Sequence, residues 1–423
     1  MIIHSMHLKN YRCFKDFDID FDDRLTVLVG ANGAGKTAVL DALSIFLKWA
    51  GPQRKNGVMC STQPSDVAIG KNTDELEYSL KVQSGSGTGD KPVLLDFGKG
   101  VDDNYGNINF YKPELYDAVD GLFPEVIPIF AAYMAGRFIR NEESVLASNV
   151  YTPSVNAAYE NNFNRSIDYA ATLVWFNYVD AGEARAMRDG GQLDEMPELK
   201  AVREALSKAL LGQYEKPRMH GNPPELLVNK IGTDVAYKLS QLSDGYRAML
   251  ALVMDLARRM AQSRGEKYSL SEPLLSTPAI VLIDEVELHL HPAWQQTVLN
   301  TLMEIFSNTQ FIVTTHSPQV LTSVASKHIR IMSEGKAYAF NGQTEGAEAS
   351  RILKCVFGVE PRPLNLEIVG MLNNYSKLVY DEKWDSPKAV QLREKLDDHF
   401  GDDEPVLMQL DLHIENVKWE RGL

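Results

Sequence analysis

Cysteine is scarce: Cys13, Cys60 and Cys355 stand far apart in 423 residues, and none falls in a CxxC pair. That spacing excludes a disulfide framework and a zinc knuckle, leaving three buried thiols as the expectation. Long apolar runs are also missing. Nothing approaches the roughly 18 residues that span a bilayer, and MIIHSMHLKN has no basic segment leading into an apolar stretch and cleavage site. The expectation is a soluble, cytoplasmic chain with no membrane partner. Positive charge is short, with 43 Lys+Arg against 57 Asp+Glu and a net charge of -14. A surface-wide nucleic-acid footprint is thereby excluded, because binding phosphate needs a field of the opposite sign, although a local basic groove stays open. Sustained heptads are absent as well, so no long coiled-coil lever is expected.

What is present is ample apolar material. At 44% hydrophobic and 24% charged, the chain can bury a large core in about two to three domain-sized units.

The most specific signal is LTVLV at 25–29, then GANGAGKT at 30–37, then the helix-like AVLDALSIFLKWA. Strand, glycine-rich turn and helix are the context a phosphate-binding loop needs. Gly30, Gly33 and Gly35 let the backbone fold closely around phosphates, and the helix start aims free N–H groups at them. Through Asn32, Gly33, Ala34, Gly35, Lys36, Thr37 and Ala38 the loop binds a nucleoside triphosphate; Lys36 meets the β/γ oxygens and Thr37 ligates Mg2+. The cofactors expected are ATP and Mg2+.

AIVLIDE, 279–285, is a continuous apolar strand that stops at two acids. Asp284 is placed to support the metal, and Glu285 to polarise an attacking water. His289 and His291 follow within LHLHP, but four ligands are needed for zinc and no further Cys/His cluster joins them. The turn after the strand, with Pro292 opening the next helix, is the favoured reading. QFIVTTHSP, 310–318, is a second apolar strand, ending at His316, which is placed to hydrogen-bond a γ-phosphate. In LSDGYRAMLALVMDLARRM, 242–260, Met249, Val253, Leu256 and Met260 recur at helical spacing, with Ser243 as N-cap. Ser243, Asp244 and Gly245 make a second anion-binding helix start, which one triphosphate cannot share with the first loop inside a single subunit.

The set GANGAGKT, LSDGYR, IVLIDE and TTHSP resembles the ABC-type ATPase superfamily, and IHSMHLKNYRCFKDFDIDF with VELHLHP resembles its RecF, SMC and OLD branch. That resemblance implies an α/β fold: an ABC-type P-loop ATPase head with a mixed, largely parallel sheet, a helical insertion and a short helical tail. It implies a head-to-tail homodimer or higher homo-oligomer, in which Ser243, Asp244 and Gly245 of one chain close on the triphosphate of another. Glu285 would then be the catalytic base, His316 the γ-phosphate sensor, Thr37 and Asp284 the metal residues, and Arg12 in NYRCF a contact to nucleotide or DNA. No clear Q-loop glutamine stands out; PIFAAYMAGRF, 128–138, is the candidate for that neighbourhood, with Tyr133 and Arg137 either its polar ends or an ordinary core-strand residue and a surface arginine.

The expected division is a first ATPase lobe at 1–150, a helical insertion at 151–225, a second lobe at 226–345 and an acidic helical region at 346–423. Residues 51–75 and 83–107 read as loops around the strand-like ELEYSLKV. In the last region acids outnumber bases; a solvated face and a docking surface for a protein partner both fit. It holds no paired-acid nuclease cluster of the OLD type. With FGVEPRP and the short tail, the layout resembles the PtuA family of Septu anti-phage ATPases. The resemblance implies a separate HNH nuclease partner, PtuB-like, and possible DNA contact through that complex. A RecF-like repair ATPase that binds DNA when loaded with ATP is the alternative.

Overall fold

The computed structural model describes the chain except residues 53–59, 84–91, 103–107, 111–114, 116–117, 120–126, 136–150, 152–153, 164–166, 168, 189–194, 211, 222–224, 265–272, 402 and 423. It divides into two units, Met1–Ile352 and Leu353–Leu423.

The first unit opens with β1 (Ile2–Tyr11), β2 (Phe14–Asp20), β3 (Leu25–Gly30) and α1 (Lys36–Ala50). Then come β4 (Cys60–Thr62), β5 (Glu77–Gln83), β6 (Val93–Lys99), β7 (Val101–Asp102), β8 (Ile108–Phe110) and β9 (Ile129–Tyr133). Helices α2 (Tyr169–Arg188) and α3 (Pro197–Ala209) precede β10 (Tyr214–His220), β11 (Glu225–Lys230), β12 (Ala236–Lys238) and the long α4 (Asp244–Arg264). The rest is β13 (Ala279–Ile283), α5 (Pro292–Gln295), α6 (Val298–Ile305), β14 (Thr309–Thr314), α7 (Pro318–Leu321), β15 (Ile329–Ser333) and β16 (Lys336–Ala339).

The central sheet has the order β16-β15-β3-β14-β13-β9, parallel throughout except for the antiparallel edge pair β15–β16. Every residue of β9, β13 and β14 is buried. That is why these segments read as continuous apolar runs without alternation: both faces of the sheet are covered. Parallel strands end at one edge, so β3, β13 and β14 deliver Gly30, Asp284 and Thr315 to the same rim. The second sheet, β2-β1-β5-β6, is antiparallel. Leu8, Phe14, Leu80 and Phe97 from it share one core with Leu43 and Phe46 of α1 and Leu282 of the central sheet. Burying each such side chain stabilises the fold by about 1.5–3 kcal/mol. Gln310 joins the sheets through polar contacts: its buried amide accepts from the Ile3 N–H at 2.9 Å and donates to the carbonyls of Ile3 at 2.7 Å and Asp22 at 3.0 Å.

Several expectations need correcting. Residues 83–107 are not simply a loop: β6 pairs along β5, with Leu95 and Phe97 facing the core. The glycine-rich SGSGTGDKP just before it masked that alternation, and most of that stretch lies outside the described residues. Within 151–225 the chain is helical only in part, because β10 lies there and pairs with β11; the Asn-rich start forms a short 3-10 turn at Val155–Ala158, and α2 begins at Tyr169. Of the cysteines, only Cys60 is buried; Cys13 and Cys355 are exposed.

One buried polar cluster fastens α4 to its surroundings. Asp255 accepts from Arg258 and Arg259, each at 2.7 Å, from the Tyr133 hydroxyl at 2.9 Å and from Thr172 at 3.3 Å. Arg259 also donates to the carbonyls of Ala158 and Glu160. Burial alone would raise the Asp255 pKa, but the two guanidiniums and their hydrogen bonds bring it down to about 2 from 3.8. A depressed carboxylate pKa stabilises the folded state above the unfolded value, so this contribution is complete above about pH 4 and is lost as pH falls through about 2. Replacing Asp255 with alanine leaves two buried cations uncompensated and is expected to lower the unfolding free energy by about 3–5 kcal/mol in a urea titration at neutral pH.

The second unit is helical: α8 (Ala349–Cys355) ends in it, followed by α9 (Glu367–Tyr380), α10 (Pro387–Phe400) and α11 (Pro405–Glu420). Leu372, Tyr375, Val379, Leu396, Leu407 and Leu410 form its own core. Arg393 of α10 pairs with Asp397 of the same helix at 2.7 Å and clips α10 to α11 through Asp411 at 2.8 Å. Among the described residues, no helix is long and apolar enough to cross a membrane.

Candidate functional site

The rim of the central sheet assembles the residues the motifs single out. β3 ends at Gly30, and the loop returns into α1, whose first residue is Lys36. Gly35 sits at the helix start with φ 95°. A Cβ there would lie 2.4 Å from the Phe14 ring, so conformation and space both demand glycine. Ala31, Asn32, Gly33 and Thr37 are exposed, while Lys36 and Ala38 are buried. The Lys36 ammonium donates to the carbonyls of Gly30 at 2.9 Å and Ala31 at 3.0 Å. Burial lowers its pKa, and Asp284, Glu285 and Glu287 oppose that shift. Three carboxylates near one buried ammonium form a site whose electrostatics an incoming polyanion with a metal cation would change strongly.

Asp284 is the junction. Its backbone N–H donates to the Tyr133 carbonyl at 2.8 Å, and its carboxylate accepts from Thr37 Oγ1 at 3.1 Å and from Thr314 Oγ1 at 2.6 Å. Residues 37, 284 and 314, from the start of α1 and the ends of β13 and β14, are thus linked in one hydrogen-bonded unit. A hydroxyl and a carboxylate this close are the hard oxygen donors Mg2+ prefers, and the loop's exposed backbone suits phosphate, so the residues present fit both groups.

Glu285 follows with φ 50°, an uncommon conformation for a residue with a side chain. Its N–H donates to Thr314 Oγ1 at 2.8 Å, which fixes the turn. His316 lies just past β14 and is exposed, its N–H donating to Glu287 at 2.7 Å. Glu287 and Thr314 stand outside the motif residues. The available signal was a third acid in DEVE and a second threonine in VTTH.

The histidine pair behaves as a turn. His289 is exposed with φ 66°, and His291 caps the next helix, its Nδ1 accepting from the Ala293 N–H at 3.3 Å. Neither joins a group of three ligand side chains among the described residues; the group with that proximity is His7, Asp16 and Asp18 on the β1–β2 hairpin.

α4 begins at Asp244, which puts Ser243 at the N-cap position, and both residues are exposed. Asp244 pairs with Arg247. Gly245 is different: it is buried, and a Cβ there would stand 2.6 Å from the His289 carbonyl oxygen. Its lack of a side chain serves the contact between α4 and the turn after β13 in the same chain, which the motif alone did not indicate. Tyr246 adds to that contact edge-on against Trp294, ring centroids 4.3 Å apart.

Tyr133 is 3% exposed and its hydroxyl is committed to Asp255, the core role of its two readings. Arg137 lies outside the described residues. Arg12 has φ 49° and is held by Asp41 at 2.5 Å and Asp66 at 2.7 Å. A phosphate at Arg12 would compete with both carboxylates.

Residues 1–89 match the family model "AAA ATPase domain", and residues 198–322 match "AAA domain, putative AbiEii toxin, Type IV TA system". The chain is 28% identical to the Retron Ec83 probable ATPase of Escherichia coli over 99% of its own length and 87% of that protein's. It is 23% identical to Septu protein PtuA of Bacillus mycoides over 79% of its length, a match spanning 41% of PtuA. Among solved structures, an SMC head bound to the C-winged helix domain of ScpA superposes with a TM-score of 0.46 at 15% identity, covering 81% of this chain and 98% of that one. Two stretches of the chain thus match AAA domain models, and the chain is similar to probable ATPases of retrons and to Septu protein PtuA.

Proposed function

We propose that this chain is the ATP-binding and ATP-hydrolysing sensor subunit of an anti-phage defence complex, acting in the cytoplasm on a separate HNH nuclease. The observation that supports it most is the linkage of Thr37, Asp284 and Thr314, which ties the phosphate-loop helix to the acid-bearing strand and its neighbour. In this reading the loop Asn32–Ala38 holds the triphosphate, with Lys36 turning from its two carbonyl partners to the β/γ oxygens. Thr37 and Asp284 would hold Mg2+, which would supply charge neutralisation on the phosphates. Glu285 takes the proton of the attacking water, and His316 donates to the γ-phosphate.

Ser243 and Asp244, both exposed, meet the triphosphate of a second chain in a head-to-tail dimer, with Gly245 setting how α4 rides on its own turn. ATP would hold the heads together, and hydrolysis or nucleotide loss would change the assembly that restrains the nuclease. The second unit offers a partner surface: Met408, Leu412 and Trp419 are exposed on α11 at helical spacing.

Ser243→Arg tests the composite site. The variant is expected to bind ATP as the parent does and to stay monomeric in light scattering, losing turnover by at least about tenfold, the equivalent of about 1.4 kcal/mol. Parental turnover would show that Ser243 does not face a second nucleotide. Affinity capture of the tagged chain with mass spectrometry tests the partner: an HNH protein favours the defence reading, replication proteins the RecF-like alternative.

A further inference from the structure

The β14 ladder to β3 runs through Thr314 paired with Leu28, and the Thr315 N–H still reaches the Leu28 carbonyl at 3.2 Å. His316 is the first residue past the sheet. Its backbone N–H and the hydroxyl of Thr315 both find one carboxylate: Glu287 Oε1 accepts from His316 N at 2.7 Å, and Glu287 Oε2 from Thr315 Oγ1 at 2.8 Å. Both oxygens of a single side chain, from the turn after β13, thereby bind two successive residues after β14. The far side is fixed too. Ser317 donates its N–H to Thr315 Oγ1 at 3.0 Å, and its hydroxyl donates to Gln295 at 2.5 Å while accepting from Gln319 N at 3.1 Å. Val286, beside Glu287, is buried and donates to the Thr314 carbonyl at 3.0 Å, so the clamp stands on a rigid base.

We propose that Glu287 is a positioning residue that holds the main chain of His316 so that its exposed imidazole is aimed at the nucleotide site. The inference rests on the reading of His316 as the group that meets the γ-phosphate. A hydrogen bond from an N–H to an ionised carboxylate is roughly twice as strong as a neutral one. The His316 N–H and the Thr315 hydroxyl, bound to one carboxylate, restrict rotation of the chain that links strand to helix. Glu287 also acts on Lys36, which places its charge at the same rim.

The test compares Glu287→Ala, Glu287→Gln, His316→Ala and the double Glu287→Ala/His316→Ala variant in full-length chain, by steady-state ATP hydrolysis and by hydrogen exchange of the 310–318 segment. Glu287→Ala is expected to lower kcat about 10- to 100-fold with little change in KM, as loss of alignment does, and to expose the His316 amide to fast exchange. Glu287→Gln keeps an oxygen for the His316 N–H and an amide group for Thr315, and is expected to restore most of the rate. The double variant is expected to be no slower than His316→Ala alone, because the clamp then has nothing to aim. A double variant slower by the product of the two single effects, or a Glu287→Ala variant as fast as the parent beside a slow His316→Ala, would overturn the proposal while leaving the reading of His316 intact. If His316→Ala itself turns over at the parental rate, the reading of His316 fails, and the role of Glu287 fails with it.

Discussion

Lys36→Ala is expected to remove the stabilisation that ATP confers. In the parent, nucleotide at one hundred times its dissociation constant raises the unfolding free energy by about 2.7 kcal/mol, because the ligand binds only the folded chain. Lys36 is the buried cation at the loop, its ammonium resting on the carbonyls of Gly30 and Ala31 and surrounded by three acids. Without it, the triphosphate meets Asp284, Glu285 and Glu287 with no compensating charge from the loop. The midpoint of thermal unfolding measured with and without ATP reads this directly: the shift is present in the parent and absent in the variant. A full ATP-induced shift in Lys36→Ala would show that the nucleotide binds elsewhere.

Glu285→Gln separates binding from chemistry. Glutamine has nearly the same shape, and the contact fixing the turn is a backbone one, from Glu285 N to Thr314 Oγ1. The substitution therefore leaves the geometry of Asp284 and Thr37 in place while removing the group that would accept a proton from water. A positioned general base contributes about 10²–10⁴ in rate, and turnover is expected to fall by that factor with the ATP-dependent thermal shift retained. A loss of binding equal to the loss of turnover would mean that Glu285 holds the nucleotide site together instead.

The parallel core was legible in the sequence because its strands are buried on both faces. LTVLV, AIVLI and QFIVT needed no partner information to be read as strands ending at chemistry, and the parallel sheet then brings Gly30, Asp284 and Thr315 to one rim. β6 was not legible, since its alternation is short and follows a glycine-rich segment. Within the site, motif spacing pointed to Lys36, Thr37, Asp284, Glu285 and His316 but not to Glu287. A carboxylate whose task is to accept hydrogen bonds from two groups just past another strand has no local signature, and its partners are 28 and 29 positions away. Gly245 was legible as a glycine needed at a helix start, and the fold adds a second reason for it. The motif suggests an opening toward a phosphate, and the missing side chain also seats α4 against the carbonyl of His289.

Everything proposed for turnover depends on two copies sharing each nucleotide, and the mass of Glu285→Gln in solution tests this most directly. With ATP and Mg2+, light scattering at a fixed protein concentration is expected to give at least twice the mass of one chain, and adding Ser243→Arg to the same molecule is expected to return it to the mass of a single chain. A Glu285→Gln sample saturated with ATP that keeps the mass of one chain at every concentration, while the parent hydrolyses ATP at its full rate under the same conditions, would contradict the shared site.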